Sequence, residues 1–91
     1  MREPRKIVDA RPIYPALALS VKVEGVVILE ATVGTDGCVQ SVKVLRSRHV
    51  LLDRASVAAL KQWQYTPLVL NGIPTPFVLT VTFNFSVARP S

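Results

Sequence analysis

The residues of this 91-residue chain that could form a nucleophile, a base and an orienting carboxylate are Cys38, His49 and Asp53. Cysteine chemistry of that kind needs all three side chains within reach of one another. His49 and Asp53 are four apart and could approach each other at the start of a helix. Nothing in the spacing brings Cys38 to them. The simpler reading is a helix start carrying a solvent-exposed histidine, with Cys38 filling space as a small hydrophobe. One histidine cannot build a metal cluster. One cysteine excludes an internal disulfide and a cysteine-based metal site. There is no glycine-rich phosphate loop, and the six carboxylates are scattered. No catalytic residue, metal site or cofactor is expected, and the chain reads as a non-enzyme.

The net charge of +5 comes from 11 Lys+Arg against 6 Asp+Glu. Arg2, Arg5, Lys6 and Arg11 against Glu3 and Asp9 account for +2 of it, and the rest is spread thinly. Nucleic-acid binders cluster their basic residues, often with stacking aromatics between them. Here Lys43, Arg46 and Arg48 are the tight group and no aromatic sits among them, so they read as a solvated face and nucleic acid is not an expected partner. A composition of 49% hydrophobic and 19% charged residues is that of one folded domain. The basic N-terminus is not followed by an apolar run, and no stretch approaches the ~20 apolar residues that cross a bilayer. Neither a signal peptide nor a membrane span is expected within these residues. The chain is then a soluble cytosolic domain or a piece of a longer protein.

Residues 1–12, with alternating charge and two prolines, read as a linker tail or extended arm. Pro15 suits a first helical turn and Ala16-Leu17-Ala18-Leu19 continues it, predicting a short helix from about Pro15 to Val21. Val26 to Val33 predicts a strand with Val27, Leu29, Ala31 and Val33 on one face. Gly34-Thr35-Asp36-Gly37 is a turn, and Cys38 to Leu45 the return strand. Val39 is out of phase with Val42, which predicts a slip or bulge near Gln40-Ser41. Leu52, Ala55, Ser56, Ala59, Leu60 and Trp63 then recur at helical spacing, and Pro67 bars continuation. Asn71-Gly72 marks a second turn, after which Pro74 and Pro76 lead into the last strand.

That last strand alternates without a miss: Phe77, Leu79, Val81, Phe83, Phe85 and Val87 on one side, Val78, Thr80, Thr82, Asn84 and Ser86 on the other. No charged residue lies between Ile73 and Ala88. Proteins normally blunt an edge strand with lysine, proline or a bulge, so this one is either flanked on both sides or is an edge left open for a partner. Placing it centrally would split a hairpin joined by a tight Asp-Gly turn, which favours the edge. The expected fold class is α+β: a three-stranded antiparallel sheet with two helices packed on one face, in the order helix-strand-strand-helix-strand.

Seven short motifs in this order resemble the C-terminal domain of the TonB family of energy transducers. They are Tyr14-Pro15, Gly25-Val26-Val27, Asp36-Gly37-Cys38-Val39, Leu52-Asp53-Arg54-Ala55, Trp63-Gln64-Tyr65-Thr66-Pro67, Asn71-Gly72-Ile73-Pro74 and Phe83-Asn84-Phe85. The resemblance runs from about Arg11 to Val87 and implies a domain at 13–88 with a tail at 89–91. It implies a periplasmic domain of a protein anchored in the inner membrane of a Gram-negative bacterium. An anchor outside these residues would associate with a proton-driven motor complex. The domain would take a peptide segment of TonB-dependent outer-membrane transporters as an added strand beside its last strand, at Val78, Thr80, Thr82, Asn84 and Ser86. The segment before the first helix, Arg11, Pro12, Ile13 and Tyr14, would touch the same peptide. Arginine stands at position 11 where glutamine is common in the family, and it could meet an acidic peptide residue. The same module ends other envelope proteins, which leaves a self-associating or partner-binding role without energy transduction, and a homodimer, as alternatives.

Overall fold

In chain order the elements are β1 (Lys6–Val8), α1 (Ala16–Ser20), β2 (Gly25–Val33), β3 (Val39–Arg46), α2 (Val50–Leu60), β4 (Gln64–Tyr65), β5 (Leu68–Leu70), β6 (Ile73–Thr75) and β7 (Phe77–Phe85). The computed structural model describes residues 3–86; Met1, Arg2, Val87, the end of the expected domain at Ala88 and the 89–91 tail lie outside the described residues. The main sheet is antiparallel with the order β3-β2-β7, so the hairpin stays intact and the last strand lies at an edge, the placement its topology favoured.

Alternation places the core. Val27, Leu29, Ala31 and Val33 of β2 are fully buried on one face, joined by Val81 and Phe85 of β7. The helix α2 covers that face with Leu52, Ala59 and Leu60, and α1 contributes Ala18. Small residues in the α2 stripe keep the helix close to the sheet. Ser56 is buried there too, and its hydroxyl donates to the Leu52 carbonyl at 2.8 Å, so the core holds the polar group satisfied. The expected bulge is present. Thr32 pairs with Ser41 but Val33 pairs with Val39, leaving Gln40 extra and returning Val39 and Val42 to the core side.

Helix α2 starts at an unusual cap. His49 is half-buried, not solvent-exposed, and its Nδ1 accepts the Leu51 N–H at 3.1 Å. Asp53 in the first turn accepts the Ser47 hydroxyl and lies where the helix dipole favours a carboxylate. His49→Ala should therefore cost about 1 kcal/mol of unfolding free energy in a urea titration, and His49→Asn, which can cap equally well, should restore most of it. Equal stability of wild type and His49→Ala would show that the cap contributes nothing.

Three short strands complete the molecule. Lys6–Val8 pairs with Gln64–Tyr65, and Arg5 and Thr66 exchange two further bonds, with the Arg5 N–H donating to Thr66 Oγ1 at 2.7 Å and the Thr66 N–H to the Arg5 carbonyl at 2.8 Å. The N-terminal arm is thus fastened to the segment after α2. Leu68–Leu70 and Ile73–Thr75 form a hairpin across Asn71 (φ 51°) and Gly72 (φ 78°), the paired positive-φ geometry of a two-residue turn. Pro74 lies in that hairpin, where a strand paired on one side only tolerates its missing N–H.

Candidate partner-binding edge

The two edges of the main sheet are built differently. On β3 the pairing with β2 shifts register twice, and exposed Lys43 and Arg46 stand along it. Bulges and charge are how proteins keep an edge from pairing with other chains. On β7 the register runs unbroken from Gly25 opposite Phe85 to Val33 opposite Phe77. No charge, proline or bulge interrupts β7. Half of its backbone N–H and C=O groups point away from β2, as in any edge strand, and no other strand pairs with β7 among the described residues. Val78, Thr80, Thr82 and Asn84 are exposed along it, on the side opposite the core, and Ser86 follows just past its end, also exposed.

A second wall stands beside the C-terminal half of this edge. The Trp63 indole N–H donates to the Ala10 carbonyl at 2.7 Å and so holds the arm between β1 and α1 against the end of α2. The same ring packs edge-on against Phe83, with centroids 5.7 Å apart, and carries the Lys6 ammonium 3.6 Å above it. Tyr14 packs edge-on against Phe85 at 5.4 Å and donates its hydroxyl to the Val23 carbonyl. The result is an open groove of ≈ 410 Å³ between the arm and the strand end.

Arg11, Pro12 and Tyr14 line this groove together with Asn84 and Ser86, so the structure brings members of both expected site segments to one place. Ile13 is 84% exposed and borders a separate, smaller pocket of ≈ 160 Å³ against Ala55, Ala58 and Ala59 of α2, which Arg11 also lines. Val78, Thr80 and Thr82 lie further along the strand, beyond the groove. Sequence reasoning missed Lys6 and Asp9, which also line it and are 3.7 Å apart as an ion pair. No periodicity marks them, because their place follows from pairing with a two-residue strand. Close by, burial and then the Asp9 carboxylate raise the Tyr65 phenol above the ordinary tyrosine range. Its ring packs edge-on against Phe77, with centroids 5.7 Å apart.

The three residues with chemical potential are not assembled. Cys38 is exposed at the hairpin turn, its N–H bonded to Asp36 Oδ1 at 3.0 Å. It does not fill core space, because Val39 takes the inward position and alternation turns its neighbour out. The eight residues of β3 separate it from His49, roughly 25 Å of strand. Among the described residues no group of three His, Cys, Asp or Glu side chains could hold a metal ion. Among them also, no helix is long and apolar enough to cross a membrane.

Comparison with known proteins agrees with this geometry. Residues 10–87 match the family described as the Gram-negative bacterial TonB protein C-terminal. The TonB protein of Xanthomonas campestris is 35% identical over 77 residues, 84% of this chain and 34% of that protein. The TonB protein of Vibrio cholerae is 28% identical over 80 residues, 87% of this chain and 33% of that protein. The chain thus spans about a third of the length of these relatives. The solution structure of the Pseudomonas aeruginosa TonB C-terminal domain superposes with a TM-score of 0.82 at 26% identity, covering 97% of this chain and 90% of that one. The TonB2 protein of Vibrio anguillarum superposes with a TM-score of 0.66 at 35% identity, covering 87% of this chain and 76% of that one. With its motifs, its sheet order and nearly all of its length matched, the chain belongs to the TonB C-terminal domain family.

Proposed function

We propose that this domain binds an extended peptide segment of TonB-dependent outer-membrane transporters by adding it as a strand to β7. It works in the periplasm as the end of a TonB-like energy transducer. The domain performs no reaction itself. It grips the transporter, while an inner-membrane anchor outside these 91 residues couples the grip to a proton-driven motor. The observation that carries this reading is the contrast between the two edges: β3 is broken by bulges and charge, whereas β7 offers nine uninterrupted, uncharged residues. An added strand would satisfy the outward N–H and C=O groups, and the groove beside Asn84 would receive its side chains.

The test is an NMR titration with peptides from the N-terminal segments of candidate transporters, each also made with N-methyl groups on alternate residues. Amide shifts should concentrate on Val78 to Ser86 and on Ala10 to Tyr14. Methylation in one phase should weaken binding about tenfold or more, by removing the donors that face β7, and methylation in the other phase should leave it nearly intact. Equal tolerance of both phases would exclude strand addition. The same unguarded edge also suits a second copy of the domain. Sedimentation across a concentration series separates the readings, since a tight dimer with β7 occupied would favour self-association.

A further inference from the structure

Resting on the strand-addition reading, we propose that the groove selects its peptide by charge, with Arg11 seeking a carboxylate on the peptide residue that passes Asn84. Among the described residues, three charged side chains line the groove. Lys6 and Asp9 are already engaged with each other, and Lys6 also lies over the Trp63 ring. Arg11 is exposed, and its guanidinium has no hydrogen bond, ion pair or ring contact among the described residues. One uncompensated positive charge therefore faces the space a docked strand would fill. The β7 side of the groove supplies Asn84, Ser86 and two aromatic rings, none of which can neutralise it.

A docked strand displaces water from this space. With a neutral residue opposite, Arg11 loses hydration and gains no partner, which opposes binding. With a carboxylate opposite, the planar guanidinium can form a two-point, charge-assisted contact. A lysine opposite is repelled. Within an internal chain segment the carboxylate comes from a side chain, because the backbone there is neutral and the β7 edge carries no charge. The uncharged edge thus holds any extended backbone, and Arg11 discriminates among sequences.

The experiment uses a set of Thr/Val peptides of about nine residues, matched to the length of β7. Each carries one Glu, Gln or Lys, moved along the peptide position by position, and binding is followed by NMR and calorimetry. For the wild-type domain, Glu at one terminal position should bind about tenfold tighter than Gln there, and Lys more weakly than either. The preference should shrink with added salt. It should vanish in Arg11→Gln and turn toward Lys in Arg11→Glu. Since Arg11 is exposed and has no side-chain partner among the described residues, both variants should keep the wild-type spectrum elsewhere. Equal affinity for Glu and Gln peptides at every position, with β7 amides still shifting, overturns charge selection and leaves strand addition standing. A Glu preference that survives in Arg11→Gln overturns the role of Arg11. If no peptide shifts β7 at all, strand addition itself fails, and the selection falls with it.

Discussion

Trp63→Ala is expected to remove about 4 kcal/mol of unfolding free energy, a large part of the roughly 5–15 kcal/mol that a domain of this kind possesses. Trp63 is buried at 6% exposure where three parts of the chain meet. Its ring packs against Phe83 of the edge strand, its N–H holds the Ala10 carbonyl, and Lys6 lies over its face. Truncation leaves a large cavity and strands a carbonyl at the same time. A urea titration measures the loss; a change under 1 kcal/mol would mean that the core closes without the indole.

Trp63→Phe separates packing from tethering. It retains most of the ring volume but releases Ala10, and should cost about 1–2 kcal/mol. Amide exchange should then quicken in residues 6–12, and peptide affinity should fall although the domain stays folded, because the arm forms one wall of the groove. Unchanged exchange in the arm would mean that the pairing of β1 with β4 alone fastens it.

Gly37→Ala should destabilise the domain by roughly 3 kcal/mol. Gly37 has φ 85°, and a Cβ built there would lie 1.8 Å from the Tyr65 carbonyl oxygen. The approach is close because the Tyr65 N–H donates to the Gly37 carbonyl at 2.8 Å, joining the hairpin turn to the segment after α2. Backbone meets backbone here, so no side chain can move aside. Gly72 is the internal control, since it has φ 78° but nothing within 4 Å of a built Cβ. Gly72→Ala should cost only the conformational penalty, about 1 kcal/mol. Equal losses at the two sites, measured in the same urea series, would show that backbone conformation alone matters and that the contact with Tyr65 relaxes freely.

Much of the main sheet and α2 was legible in the sequence because each repeats a pattern over several residues. Alternation over Phe77 to Phe85 gave the strand and both of its faces. The mismatch of Val39 with Val42 gave an irregularity near Gln40-Ser41, because a period of two cannot place both valines on one face without one; the pairing shows it to be a bulge at Gln40. The helical spacing from Leu52 to Trp63 gave the core stripe, and the Asp36-Gly37 turn kept the hairpin together and sent the last strand to an edge. The absence of charge on that strand was visible as well.

The short pairings were not legible. Lys6–Val8 and Gln64–Tyr65 are too brief to carry a period, and Leu68–Leu70 was hidden because its partner strand contains Pro74. The groove depends on such contacts. Lys6, Asp9 and Arg11 reach Asn84 and Ser86 because the pairing of β1 with β4 and the Trp63 bond to Ala10 fasten the arm to the segment after α2. The sequence by itself determined which strand is long, regular and uncharged, since periodicity and charge are properties of neighbouring residues. Only the tertiary structure decided what stands beside that strand, because a contact between residues more than seventy positions apart leaves no trace in local spacing.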